Sequence, residues 1–142
     1  MTDTKRLSDE LAVCAFVPPE ALADLAPKFR TIINNRPDSE EPGQPSSKEI
    51  ESEARRLGID YVHIPVALGE INDEQVAAFG KVLAQQKGPV LAFCKTGRRA
   101  ATLWALSQAK SHSPDEILSA AAAAGYDLAA LRPKLRQIAS AA

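Results

Sequence analysis

Three short apolar segments, each followed by a pattern typical of a helix, constrain the fold of this chain more than any other feature. They span residues 29–34, 61–66 and 90–93 and are rich in β-branched and aromatic side chains. Apolar runs of this length, bounded by turn-forming residues, are typical of buried strands. Strands that alternate with helices are joined by right-handed crossovers, so we expect a mostly parallel sheet with helices on both faces.

Weaker signals extend this pattern towards both ends of the chain. A further strand is predicted over residues 11–17, and residues 39–47, rich in Pro, Glu and Ser, are interpreted as a surface loop. The sequence thus predicts a single α/β domain over residues 1–142, with its core at about 7–140 and a sheet of about four strands. Capping residues and apolar spacing predict that helices start near Pro19, Asn72 or Asp73, Ser113 and Asp127. A further helix is predicted to end at Gly58.

The composition excludes several functional classes. The chain has 142 residues, the size of one domain, and its 45% hydrophobic residues are enough for one core. A net charge of −1 gives no electrostatic footprint for nucleic acid or an anionic membrane. No apolar run approaches the ~20 residues that span a bilayer, and the polar first residues do not form a signal peptide. We therefore expect a cytoplasmic protein with reduced cysteines that binds neither nucleic acid nor membranes.

Cys94 and the five residues after it, which we call the cradle, favour a chemical function. The cradle reads Cys-Lys-Thr-Gly-Arg-Arg and lies between the third strand and a helix, where sheets of this kind bind ligands. Its N–H groups should converge above the helix amino terminus, bind an oxyanion and stabilise a thiolate. Gly97 permits a tight turn, and Arg98 or Arg99 can grip oxyanion oxygens. Cys94 is therefore predicted to be a nucleophile.

Other reactive side chains are interpreted as structural. Cys14 lacks comparable surroundings and is expected in the core, where most free cysteines lie. Trp104 lies on a predicted helix and is also expected in the core. His63 and His112 belong to no set with metal-ligand spacing, so neither a metal nor a cofactor is expected.

Three segments together resemble a bacterial protein family. They are residues 33–38 (INNRPD), 61–66 (YVHIPV) and 93–99 (FCKTGRR). From about Leu7 to the last helix, the chain is similar to the phosphatase-like domains found alone or at the front of beta-lactamase-hydrolase-like proteins. That family looks like a compact relative of the dual-specificity and tyrosine phosphatases, and some members are labelled sulfur transferases.

The resemblance implies a cysteine-phosphatase-like fold and a role for each residue of the cradle. Cys94 would be the nucleophile, and Arg99 the arginine that binds the oxyanion. Arg36 and Asp38 match the family's loop after the second strand, which lies near the pocket. The residues whose amides would hold the oxyanion are Lys95, Thr96, Gly97, Arg98 and Arg99.

Two departures from the tyrosine-phosphatase pattern leave the reaction open. Those enzymes place the arginine six residues after the cysteine, where this chain has Ala100; its Arg99 comes five after, as in the CxxGxR loop of single-domain rhodaneses. The aspartate that usually protonates the leaving group is also replaced, by Ala67 and Leu68.

Three carboxylates remain as candidates for the general acid. Glu70 and Asp73 follow the predicted strand at residues 61–66, and Asp38 could reach across from the neighbouring loop. General acid catalysis typically contributes ~10²–10⁴ in rate, so its loss is felt most with poor leaving groups.

The leading hypothesis is a phosphomonoester hydrolase that forms a phosphocysteine on Cys94. The alternative is a rhodanese-like sulfurtransferase that carries a persulfide on Cys94 and needs no acid, because sulfite leaves as an anion. A non-catalytic oxyanion-binding regulatory module is the third possibility. The expected partner is a phosphorylated or sulfane-sulfur small molecule or protein.

Overall fold

A computed structural model describes residues 3–86 and 88–141 and contains a five-stranded sheet in the order β1-β2-β5-β3-β4. The pairs β2–β5, β5–β3 and β3–β4 are parallel, whereas β1 pairs antiparallel with β2. The carboxyl ends of the four parallel strands therefore meet at one edge of the sheet. The strands are β1 (Lys5–Arg6), β2 (Leu11–Cys14), β3 (Thr31–Asn34), β4 (Asp60–His63) and β5 (Val90–Phe93).

Helices flank the sheet, and their starts follow from local capping. The side chains of Ser46, Asn72 and Ser113 each accept a hydrogen bond from the third helical N–H of the helix that follows. None of the helices in the described part of the chain is long and apolar enough to cross a bilayer. The helices are α1 (Leu22–Leu25), α2 (Ser47–Arg56), α3 (Asp73–Gln85), α4 (Arg98–Ser107), α5 (Pro114–Ala123) and α6 (Arg132–Ala141).

The sheet separates two apolar clusters, because successive strand residues point to opposite faces. Val13 of β2 belongs to the larger cluster, which includes the buried side chains of Phe79 on α3, Leu103 on α4 and Leu135 on α6. Cys14 belongs to the smaller cluster, with residues of α1 and α2. Helices therefore cover both faces.

The predicted α/β architecture is confirmed, with two differences at the ends of the chain. The sheet has a fifth strand, β1, whose two residues are exposed and show no apolar pattern. The last helical segment, predicted to start near Asp127, starts at Ala129 with a 3₁₀ turn (Ala129–Leu131) that continues directly into α6. The Asp127 carboxylate accepts a hydrogen bond from the N–H of Ala129, the first residue of this 3₁₀ turn.

Candidate active site

The cradle connects β5 to α4 at the carboxyl edge of the sheet, where the sequence predicts it. Cys94 is buried and directly follows Phe93, which is paired with Cys14 on one side and Asn34 on the other. The loops after β2 and β3 therefore flank the cradle. The first of them is attached by a hydrogen bond of 3.2 Å from the N–H of Phe16 to the carbonyl of Lys95.

Gly97 provides the turn that starts α4. Its φ of 94° lies in the left-handed region, and α4 begins there without a side-chain cap. A Cβ at this position would collide with the hydroxyl of Tyr126 and lie 3.1 Å from the carbonyl oxygen of Cys14. Backbone conformation and space therefore both require glycine.

The sulfur of Cys94 faces the amino terminus of α4. Its Sγ accepts a hydrogen bond of 3.1 Å from the N–H of Gly97. The sulfur therefore lies beside the amino end of a helix, a place where backbone N–H groups can bind an anion.

Arg99 lies buried beside Cys94 and is held by two partners. Its Nη1 donates to Glu40 Oε2 at 2.7 Å and to the carbonyl of Val66 at 2.8 Å, and its Nη2 donates to Glu40 Oε1 at 3.0 Å. Burial lowers the pKa of Arg99, but the hydrogen bonds to Glu40 and the negative charge of Cys94 outweigh it, so the pKa lies above its usual value. Arg99 therefore carries a fixed positive charge next to the sulfur.

Glu40 links Arg99 to a second buried arginine. Its Oε1 also accepts a hydrogen bond of 2.9 Å from Nε of Arg36, and Arg36 stacks on the ring of Phe16 with its Cζ 4.8 Å from the ring centre. Hydrogen bonds from Arg99 lower the pKa of Glu40, burial opposes them, and Arg36 adds to the lowering. Glu40 is therefore an ionised acceptor between two guanidinium groups.

Glu41 forms an outer ion cluster with Arg36 and Lys95. Its Oε1 accepts one hydrogen bond from Arg36 Nη2 at 3.0 Å and lies 2.5 Å from Nζ of Lys95. The hydrogen bond and charge of Lys95 are the main causes that lower the pKa of Glu41. Both Glu41 and Lys95 are half exposed, whereas the side chain of Arg36 is only 5% exposed.

The structure separates the two arginines of the cradle. Arg98 is exposed, and its Nη2 donates to the carbonyl of Asp127 at 3.0 Å, away from Glu40. Its N–H donates to Oγ1 of Thr96 at 3.3 Å. Of the two arginines, Arg99 is therefore the one whose guanidinium lies at the sulfur.

Two further side chains lie close to the cradle. Burial, with smaller contributions from the charges of Cys94 and Asp3, raises the pKa of Cys14 to about 12. The hydroxyl of Tyr126 donates to the carbonyl of Thr96 at 3.3 Å, and burial followed by the charge of Cys94 raises the pKa of Tyr126. Tyr126 lies in the loop after α5 and carried no signal in the sequence.

The three candidate acids are not joined to the cradle. Asp38 Oδ1 accepts a hydrogen bond of 2.7 Å from the N–H of Ser47 at the start of α2. Asp73 lines a groove of about 540 Å³ between α3 and α6, and Glu70 is exposed in the loop after β4. In residues 3–86 and 88–141, none of the three forms a hydrogen bond or ion pair with the cradle.

Sequence reasoning missed Glu40 and Glu41, the carboxylates that do contact cradle side chains. They lie in the segment 39–47, which the sequence predicts only to be a surface loop. A usable signal existed: both follow Arg36 closely, in the loop after a strand that adjoins β5. Acidic residues in that loop are placed to meet the cations of the cradle.

The histidines show no metal-binding arrangement. His63 Nε2 lies 2.9 Å from the carbonyl oxygen of Arg36, and His112 is exposed beside Ser111. Throughout the described ranges, no three His, Cys, Asp or Glu side chains are grouped so that they could hold a metal ion.

Comparison with known proteins relates this geometry to a family. The model of the family "Beta-lactamase hydrolase-like protein, phosphatase-like domain" matches residues 3–111. A Beta-lactamase hydrolase-like protein of Agrobacterium fabrum is 47% identical over 81 residues, which are 57% of this chain and 19% of that protein. The chain thus matches about a fifth of the length of this relative.

Solved structures agree with the family match. A "putative phosphatase" of Neisseria meningitidis Z2491 is similar at 33% identity and a TM-score of 0.83, covering 94% of this chain and 96% of that one. The active form of Tk-PTP matches at 16% identity and a TM-score of 0.76, covering 96% of both chains. The second likeness shows the fold alone.

Proposed function

This chain belongs to the family of phosphatase-like domains of Beta-lactamase hydrolase-like proteins, and from that membership we propose that it is a cysteine-dependent phosphomonoester hydrolase. The observation that carries the proposal is the contact of 3.1 Å between the N–H of Gly97 and Sγ of Cys94, at the uncapped amino end of α4. A nucleophilic sulfur and an anion-binding helix terminus are thereby combined in one turn.

In the first step, Sγ of Cys94 attacks the phosphorus of the monoester. The S–P bond forms as the P–O bond to the leaving group breaks, and the departing oxygen takes a proton from a general acid or from water. Arg99 and the cradle amides stabilise the negative charge on the phosphoryl oxygens in the transition state. The product of this step is a phosphocysteine.

In the second step, water hydrolyses the phosphocysteine. A P–O bond forms to the water oxygen, the S–P bond breaks, and Cys94 returns as a thiolate while inorganic phosphate leaves. The proton lost by the water passes to a base or to solvent. Both steps use the same cradle, so a single anion site serves the whole cycle.

A sulfurtransferase activity is the second candidate, and one observation favours it. In the part of the chain that the structure describes, Asp38, Glu70 and Asp73 form no hydrogen bond with the cradle. A thiolate that takes sulfur from thiosulfate releases sulfite without a proton, and so needs no such acid. The short spacing between Cys94 and Arg99 agrees with this reaction as well.

A side-by-side assay tests the proposal. Hydrolysis of p-nitrophenyl phosphate and sulfur transfer from thiosulfate to cyanide are measured on one preparation, with C94S as the inactive variant and C14S as the matched control. We expect hydrolysis that is lost in C94S and kept in C14S. Sulfur transfer alone would establish the second candidate, and anion binding without either activity would indicate a regulatory module.

A further inference from the structure

Lys95 of the cradle forms a pair of cations with Arg36, which lies in the loop after β3. Arg36 Nη2 and Lys95 Nζ both contact the same oxygen of Glu41, at 3.0 and 2.5 Å. A carboxylate oxygen bound by two cations in this way occupies the place that an oxygen of an anionic ligand would take.

The buried member of this pair is held rigidly. The guanidinium of Arg36 lies over Phe16 and donates through Nε to Glu40, while its backbone N–H donates to Asn34 Oδ1 at 2.9 Å. Its carbonyl is bound by His63. A cation fixed by these contacts loses little conformational freedom when it binds a ligand.

This pair is also close to the anion site of the cradle. Arg36 Nε and Arg99 Nη2 donate to one oxygen of Glu40, at 2.9 and 3.0 Å, so these two nitrogens are no more than about 6 Å apart. Lys95 itself is the residue after the nucleophile. Two anionic groups of one small molecule can therefore be bound side by side.

Glu41 is the part of this arrangement that can move. Its side chain is 49% exposed, and that of Lys95 is 55% exposed. Ion pairs with this exposure contribute little to stability, so a competing anion can displace them. Arg36, by contrast, would keep its contacts with Glu40 and Phe16 when Glu41 leaves.

We propose that Arg36 and Lys95 form a second anion subsite, occupied by Glu41 in the free protein and by a neighbouring anionic group of the substrate in the complex. The subsite rests on the proposed function in one respect: the anionic molecule that it binds is a substrate only if the chain is a phosphomonoester hydrolase. It specifies a phosphomonoester with a second phosphate or carboxylate close to the scissile phosphate, because Lys95 directly follows Cys94 and Arg36 shares an oxygen of Glu40 with Arg99.

Two phosphonocarboxylates of different length test the subsite without any reaction. Phosphonoacetate places its two anionic groups close together, whereas 6-phosphonohexanoate carries the same ionisable groups far apart. Their dissociation constants are measured by calorimetry at one pH and ionic strength. We expect the wild type to bind the short probe more tightly than the long one.

Variants identify the groups responsible. E41Q should increase the preference for the short probe about three- to tenfold, because the internal competitor loses its charge. K95Q should reduce that preference about threefold or more. E53Q is the matched control: it removes one carboxylate charge from an ion pair with Arg56 on α2, and the preference should not change.

An unchanged preference in both E41Q and K95Q would overturn the subsite. Hydrolysis of p-nitrophenyl phosphate, measured on the same wild-type preparation, reports separately on the proposed function. A protein without hydrolysis whose variants shift the preference as expected would retain the subsite and lose the phosphatase assignment. Hydrolysis by a protein whose variants show no change in that preference would retain the phosphatase assignment and overturn the subsite.

Discussion

Glu40 and Arg99 form a two-point ion pair, with Nη1 donating to Oε2 at 2.7 Å and Nη2 donating to Oε1 at 3.0 Å. Because both terminal nitrogens are bound, the plane of the guanidinium has one orientation. A third hydrogen bond, to the carbonyl of Val66, fixes the same group from the loop after β4. Glu40 is therefore a positioning residue for the arginine beside Cys94.

Replacing Glu40 should affect a transition-state analogue more than a ground-state ligand. In E40Q the two-point ion pair is lost, so Arg99 is less well oriented for the equatorial oxygens of vanadate. We expect affinity for vanadate to fall about tenfold, whereas affinity for phosphate changes less, because the lost negative charge partly compensates.

The difference is measured from the inhibition constants of vanadate and phosphate against hydrolysis of p-nitrophenyl phosphate, in the wild type and in E40Q. E53Q again serves as a control, since its carboxylate lies on α2 in a local pair with Arg56. A purely structural role of Glu40 would lower both affinities equally, and equal losses would contradict the positioning role.

Arg99 should contribute far more to oxyanion binding than Arg98. Arg99 is buried beside the sulfur, whereas the side chain of Arg98 is directed to the carbonyl of Asp127. R99A should reduce sulfate affinity by about tenfold or more, and R98A by no more than about threefold. Sulfate titration followed by NMR measures both constants. A larger loss in R98A would mean that the cradle binds anions through its exposed arginine.

The two cysteines should differ strongly in alkylation. A pKa of about 12 leaves almost no thiolate on Cys14 at neutral pH, whereas Sγ of Cys94 is hydrogen-bonded by the N–H of Gly97. Iodoacetamide labelling between pH 6 and 9, followed by peptide mass spectrometry, should show modification of Cys94 first. Sulfate should protect Cys94 and leave the rate at Cys14 unchanged. Equal rates at pH 6, or no protection, would contradict an anion site at Cys94.

The general acid can be identified by how strongly turnover in each variant depends on the leaving group of the phosphate ester. Of the three candidates, Glu70 lies in the loop that also supplies the carbonyl of Val66 to Arg99. E70Q should lower turnover of phenyl phosphate about tenfold more than turnover of p-nitrophenyl phosphate, because phenolate leaves poorly without a proton.

The other two carboxylates provide the controls for this measurement. D73N alters a side chain in the groove between α3 and α6, and we expect an unchanged ratio of the two substrates. A selective loss in D38N or D73N would transfer the role of the acid to that residue. Equal ratios in all three variants would show that none of them protonates the leaving group.

Much of the fold and of the cradle could be predicted because the determinants are local. β3 and β5 are runs of apolar and β-branched residues, and the cradle combines a strand end, a glycine and two arginines within a few residues. Backbone geometry then follows from the turn, and Cys94 lies between the end of β5 and the start of α4, as the sequence predicts.

What could not be predicted depends on contacts between distant segments. Glu40 meets Arg99 across 59 positions of the chain, and a glutamate in a polar loop is ordinarily solvated. β1 is held to β2 by backbone pairing, to which the side chains of Lys5 and Arg6 add no apolar pattern. Neither relationship leaves a periodicity in the sequence.

The covalent intermediate on Cys94 separates the two proposed reactions most directly. The protein is mixed with p-nitrophenyl phosphate, or separately with thiosulfate, and each reaction is quenched with acid within its first turnovers. Mass spectrometry of the Cys94 peptide should show a phosphoryl group after the first mixture, and no such gain in C94S. A persulfide after the second mixture, with no phosphocysteine after the first, would contradict the hydrolase and assign Cys94 and its cradle to sulfur transfer.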